Sequence, residues 1–151
     1  MATITIRIEG LDKVISKMEF DNLARAAIKA FLLRSALTVE ASAKEKAPVD
    51  TGLLRASIAS KVEEFTATIA PSVFYGGYVE FGTPPHWPPM SALQPWAQRH
   101  GFPPGSAGAF LVARAIARHG TKPHPYMEPA ARESEPAIQG FAEALAAEIE
   151  E

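Results

Sequence analysis

Ala47-Pro48-Val49-Asp50-Thr51-Gly52-Leu53-Leu54-Arg55-Ala56-Ser57-Ile58 is the stretch that decides the fold. Pro48 lacks a backbone N–H and disfavours helix in the residue before it, so a helix arriving from the N-terminal side must stop there. Asp50 and Thr51 carry short side-chain oxygens that fold onto backbone N–H groups one or two residues on, and Gly52 permits tight geometry. The segment therefore reads as a capped turn. A short helical turn or an extended run through Leu53, Leu54 and Ile58 is expected after it, with Arg55 and Ser57 among the structural residues of the motif.

Upstream, a helical pattern capped at Asp21 or Asn22 runs to about Lys46, which at 1.5 Å per residue is about 37 Å of helix. Asn22, Arg25, Lys29, Glu40 and Lys44 fall on one side of it. Leu23, Ala27, Ile28, Ala30, Phe31, Leu37, Val39 and Ala41 fill a sector wider than the roughly 100° that one packing partner covers. Phe31, Arg34 and Leu37 are thus candidate interface residues. Arg34 lies within the apolar sector, where it needs an acidic partner or must snorkel outward. Before this helix, Thr3 to Glu9 alternates as a half-buried strand with Ile4, Ile6 and Ile8 on one side; Gly10 ends it, and Leu11 to Met18 suggests a short helix.

Downstream, Ser57 to Ala70 changes to period two, with Ile58, Ser60 and Val62 and then Ala67 and Ile69. Two short strands joined near Glu63-Glu64-Phe65 are expected, with Pro71 at the end. Tyr75, Tyr78 and Val79 then have helical spacing, and Gly82 stands where a left-handed cap is wanted. Arg55 and Glu80 are a candidate ion pair, placed beside Leu54 and Phe81, which are expected to be buried. The fold class is α+β: a long N-terminal helix on a small antiparallel sheet, followed by a C-terminal helix.

Three blocks carry a resemblance: the turn from Ala47 to Ile58, the element Tyr78-Val79-Glu80-Phe81-Gly82-Thr83, and Pro125-Tyr126-Met127-Glu128-Pro129-Ala130-Ala131. In that order they resemble the tail-completion, head–tail joining (minor tail component) proteins of long-tailed bacteriophages. In that family a long helix runs into an Ala-Pro-x-Asp-Thr-Gly-x-Leu-Arg-x-Ser-Ile turn. A small sheet, a Tyr-x-x-Tyr-Val-Glu-Phe-Gly-Thr element and a Pro-aromatic-x-x-Pro-Ala opening of the last helix follow. The resemblance implies a structural virion protein at the head–tail junction or tail terminus of a phage or prophage. Such a protein assembles as a ring of identical subunits, a hexamer being one arrangement, and contacts tail-tube and neck proteins; it is made in the host cytoplasm and ends in the virion.

Residues 84–125 depart from the family pattern. Ten of the thirteen prolines lie between positions 84 and 129, and Pro84-Pro85, Pro88-Pro89 and Pro103-Pro104 break any long element. This reads as an insertion within a single domain spanning 1–151. Ser91 is expected to cap a short helix with Leu93 and Trp96, and Ser106 a second one with Phe110, Leu111, Val112, Ala115 and Ile116 that ends at Gly120.

The net charge is only −2, but it is unevenly distributed. No acid occurs from Phe81 to Met127, a span that holds Arg99, Arg114, Arg118, Lys122 and all four histidines. After it, seven glutamates face one base, Arg132. Solvated faces of opposite sign account for this, as do complementary faces across a subunit boundary, with Trp87, Trp96, Arg114 and Arg118 as candidates. The alternative function is a prophage-encoded adaptor that binds a host or packaging partner through 84–125.

Chemistry finds little support. With no cysteine there is no disulfide framework, thiol nucleophile or thiolate site. His119 and His124 are separated by Gly120 and Pro123 and have no acid beside them, a poor metal pattern. There is no Gly-x-Ser-x-Gly elbow and no phosphate-cradling glycine loop, and Asp50 with Glu80 reads as structure rather than as a glycosidase pair. No catalytic, cofactor or metal residue is expected. The near-neutral balance argues against nucleic acid beyond weak phosphate contact through Arg99 to Lys122. Apolar runs are shorter than the roughly 20 residues that cross a bilayer, and no signal peptide opens the chain. One core is feasible at 151 residues.

Overall fold

The computed structural model describes residues 2–7, 22–63 and 65–150, with side chains from 25 to 147 within the terminal helices. The expected helix at Leu11 to Met18, the end of the first strand at Ile8 to Gly10, and Asp21 lie outside the described residues. The elements run in the order β1 (Ile4–Arg7), α1 (Asn22–Lys46), α2 (Leu53–Ser57), β2 (Ile58–Glu63), β3 (Thr66–Pro71), α3 (Gly76–Phe81), α4 (Met90–Arg99), α5 (Ser106–His119) and α6 (Met127–Glu150). This is the expected α+β arrangement. The chain divides into two compact units, one made of Met1–Gly76 with Pro125–Glu151 and the other of Gly77–His124.

In the first unit the three strands form one antiparallel sheet in the order β1-β3-β2. Register follows from the period-2 pattern. Ile4 and Ser60 both pair with Ile69, Ile6 and Val62 with Ala67, and Ile58 with Pro71. These residues form the inner rows, with Ile58, Ala67 and Ile69 fully buried. The alternate rows carry Thr5, Arg7, Lys61, Glu63, Thr66 and Thr68 outward, as a sheet covered on one face requires.

Helix α1 covers the inner face. Alanine-rich and free of interior Gly or Pro, it has good propensity over all 25 residues. It stops at Lys46, one residue before Ala47, whose N–H still reaches Ala43 O at 2.9 Å, and two before Pro48, which cannot continue the ladder. Ile28, Phe31, Leu32, Ser35, Ala36, Val39 and Ala43 are its buried side. That side is shared between the sheet and α6, which takes Ile28, Phe31 and Val39 of the wide apolar sector into the chain's own core and leaves Ala30, Leu37 and Ala41 exposed.

Helix α6 lies antiparallel to α1: Lys46 Nζ meets Glu133 Oε2 at 2.6 Å near one end, and the Arg34 guanidinium sits 4.4 Å from the Phe141 ring centre nearer the other. Met127, Ala130 and Ser134 are its buried residues, spaced by three and four. Tyr126, just before the helix, is fully buried and its hydroxyl donates to Gly76 O at 3.2 Å. Pro129 is accommodated in the first turn, where no intrahelical donor is lost.

In the second unit α4 and α5 pack through small residues. Ala97, Gly108, Ala109, Val112 and Ala113 are buried between them. Gly108 is needed there, because a Cβ would lie 2.1 Å from Pro103 O. The expected serine caps are displaced. Met90 opens α4 with Pro89 as its cap residue, and Ser106 is the first residue of α5, whose cap position is Gly105. Neither serine makes a capping bond, because the preceding Pro and Gly already set the entry geometry.

Candidate assembly surfaces

The motif turn is built around Gly52. Its φ of 83° places it in the left-handed region at the cap position of α2, where L side chains are strained. Thr51 Oγ1 accepts from Leu53 N–H at 3.5 Å, Ser57 Oγ donates to Leu54 O at 2.8 Å, and Ala56 N–H reaches Gly52 O at 2.9 Å. Asp50 is exposed and does not occupy the cap position. Leu54 is buried at 6% exposure, while Leu53 and Val49 stand out at 55% and 56%. Pro48 and Arg55 are exposed as well. The block is thus structural on one side and offers a small apolar surface on the other.

Behind this turn an unexpected residue locks helix to sheet. Glu40, placed by the sequence on the solvated side of α1, accepts the Ser60 N–H of edge strand β2 at 2.8 Å and the Lys44 ammonium at 2.6 Å. Burial pushes its pKa up, but the hydrogen bonds from Lys44 and Ser60 and the Lys44 charge outweigh this and leave it lowered. The edge strand thereby has one outward donor satisfied. No motif marks Glu40; only its i, i+4 spacing to Lys44 was visible.

In α3 the burial reverses the sequence expectation. Glu80 is 3% exposed whereas Phe81 is 68% exposed. Gly76 and Glu80, four apart, form the inner face of this short helix, and Phe81 lies one residue round from it. Of the candidate ion pair, the carboxylate is therefore buried and the Arg55 guanidinium exposed. Tyr78 is 58% exposed.

Gly82 terminates α3 at φ 70°. Directly after it, Thr83 and Thr121 form an isolated antiparallel bridge: Thr83 N–H to Thr121 O at 3.2 Å, Thr121 N–H to Thr83 O at 3.0 Å, and the two hydroxyls 2.9 Å apart. His124 N–H adds a bond to Val79 O at 2.8 Å. Each strand of this clasp is preceded by a glycine pressed on the other strand. A Cβ at Gly82 would lie 2.4 Å from Thr121 O, and one at Gly120 2.0 Å from Thr83 O. The recurring Gly-Thr at 82–83 and 120–121 was the sequence signal for it.

The clasp closes the proline-rich segment at its neck. Inside the segment, Trp87 packs on Phe110 with centroids 5.8 Å apart, and Trp96 stacks on His100 at 4.1 Å. Trp87, Trp96, Phe102, Phe110 and Leu111 nevertheless stay between 37% and 54% exposed. Arg114 and Arg118 are exposed on α5. Of the α1 candidates, Leu37 is 51% exposed and Arg34 is exposed over Phe141, whereas Phe31 is buried inside the subunit. Leu33, 47% exposed, is the α1 surface residue that the sequence reading missed. Among the described residues no cluster of His, Asp or Glu could hold a metal, and no helix is long and apolar enough to cross a membrane.

Residues 9–82 match the family model described as "Bacteriophage HK97-gp10, putative tail-component". Over this stretch, just under half of the chain, the protein is similar to that family, and the resemblance read from the first two motif blocks stands; the third, Pro125 to Ala131, lies beyond the matched residues. No curated protein and no solved structure gives a significant match. The family match supports a structural phage protein of the tail, a non-enzymatic role and a place in the virion.

Proposed function

We propose that this chain is a ring-forming subunit at the head–tail junction or tail terminus, contacting tail-tube proteins on one side and neck proteins on the other. One observation carries the reading beyond the family match. Large apolar side chains stay exposed in both units: Leu33, Leu37, Leu53 and Phe74 in the first, and Tyr78, Phe81, Trp87 and Phe110 in the second, from 45% to 80% exposed. Where such residues stand together, as Leu33 and Leu37 do four apart on α1 and Trp87 does against Phe110, they are the kind of surface that protein contacts use. A ring subunit needs two different complementary surfaces, since a head-to-tail contact that closes generates the ring.

The test is the oligomeric state of the purified chain by native mass spectrometry and negative-stain imaging. Closed rings without any partner are expected, and a chain that stays monomeric at high protein concentration refutes self-assembly. Because Thr83 and Thr121 are bridged, residues 84–119 can be replaced by a short Gly-Ser linker that keeps Gly120 and spans the bridge. If that variant forms the same ring, the insertion serves another partner, which is the adaptor reading.

A further inference from the structure

Helix α5 turns one side inward through Gly108, Ala109, Val112 and Ala113. Its exposed side carries Phe110, Leu111, Arg114 and Arg118, which at 100° per residue fall within about 100° of arc. Two large apolar groups therefore flank two guanidinium groups spaced by four. Among the described residues neither arginine enters an ion pair. Their own unit holds one acid, Glu80, and it is buried.

Helix α6 carries the opposite surface. Along its exposed side runs an open groove of about 620 Å³ lined by Ala131, Glu135, Ile138, Gln139 and Ala142, with Glu128 and its ion-pair partner Arg132 at one edge. Ala131 and Ala142 leave room between longer side chains. Glu135 makes no ion pair among the described residues, and Glu128 is already engaged with Arg132. From Pro125 onward the chain has seven glutamates against a single arginine.

We propose that the exposed side of α5 in one copy docks into the α6 groove of a second copy, with Phe110 and Leu111 filling the space over Ala131, Ile138 and Ala142 and with Arg114 and Arg118 facing Glu135. This inference rests on the self-assembling reading above and names its interface. Charge complementarity favours a second copy over any other occupant: Arg132 neutralises Glu128 within the groove, which leaves Glu135 as its net negative charge, and the basic, apolar face that would meet it is exposed on the same chain. Because the two faces differ, the contact is head-to-tail and can propagate. Apolar burial supplies most of the affinity, and the charges fix register and suppress wrong pairings.

The experiment uses full-length chains and sedimentation velocity at several salt concentrations. Arg114→Glu with Arg118→Glu, and separately Glu135→Arg with Gln139→Arg, should each weaken self-association on the order of tenfold. All four substitutions in one chain restore opposite charges, as does mixing the two double variants, and both should return association to near the wild-type value. Circular dichroism and melting temperature confirm that each variant folds. If the quadruple variant shows merely the product of the two losses, the α5–α6 pairing is wrong while self-assembly stands. If the variants change melting temperature but not association, the two faces belong to one chain and the proposal fails. A monomeric wild type overturns it too, and mass spectrometry of purified particles would then separately decide whether the chain is a tail component.

Discussion

The two ends of α5 provide a matched pair of substitutions. Gly105 caps its start at φ 71°, ψ −145°, and Gly120 caps its end at φ 69°, ψ −160°. Both occupy backbone territory that is nearly restricted to glycine, so alanine at either site stores about 1–3 kcal/mol of conformational strain. Their surroundings differ. A Cβ at Gly105 meets nothing within 4 Å, whereas one at Gly120 lies 2.0 Å from Thr83 O and 2.9 Å from Pro84 C. Those are backbone atoms and cannot rotate away, so Gly120→Ala must open the clasp. Opening forfeits two backbone hydrogen bonds and the hydroxyl pair, at about 1 kcal/mol each. Gly120→Ala should therefore cost about 3 kcal/mol more than Gly105→Ala. Denaturant unfolding measures the difference, and hydrogen exchange of the Thr83 and Thr121 amides locates it. Equal costs, or a Gly120→Ala variant whose two amides remain protected, would refute the close-approach argument.

Glu40→Gln should destabilise the chain by about 1–2 kcal/mol at neutral pH, because the Ser60 N–H and Lys44 lose a charged acceptor. The Glu40 carboxyl titrates below its ordinary 4.5 in the folded state. Its contribution is thus complete above pH 4.5 and lost as the pH falls through the lowered value, so wild type and variant should converge in acid melts but not in neutral ones. Tyr126→Phe removes one buried hydrogen bond to Gly76 O and should cost about 1 kcal/mol, whereas Tyr126→Ala opens a cavity and should cost about 3–5 kcal/mol in chemical denaturation. Arg34→Ala loses the contact with Phe141 and should lower stability by about 0.5–1 kcal/mol; Arg34→Lys, which keeps the charge but not the planar face, should recover part of it.

Local rules carried the reading of α1 and the hairpin because each ends at one breaker, Pro48 and Pro71, whereas α6 was legible from its helical spacing although it runs through Pro136. Pro48 ends α1 as expected, and the alternation from Ile58 to Ile69 gives the observed register. What failed depends on the third dimension. Period arguments assign Glu40 to solvent, yet the edge of β2 comes close enough for Ser60 to donate to it. The over-wide apolar sector of α1 looked like an intersubunit surface as far as Phe31, but α6 lies against it within the chain, so the exposed remainder shrinks to Leu33, Leu37 and their neighbours. The serine caps of α4 and α5 were misread by two positions and by one, because Pro89 and Gly105 fix the entry backbone and leave the hydroxyls nothing to satisfy.

The clasp explains how one chain carries a second compact unit without disturbing the first. Ordering a long connection costs loop entropy that grows only slowly with length once the ends are held together. Thr83 and Thr121, 38 residues apart, hold them with three hydrogen bonds. The closure depends on glycines at 82 and 120 and scarcely on the residues between. The family-model match covers residues 9–82 and stops one position before Thr83 of the clasp. Trp87, Phe110, Leu111, Arg114 and Arg118 belong to the compact unit that the clasp closes and not to the unit that holds the helix-on-sheet core. By that logic substitutions on the outer side of α5 should change partner choice at unchanged melting temperature. Substitutions at Gly82 or Gly120 should instead lose the module's fold and its partner together.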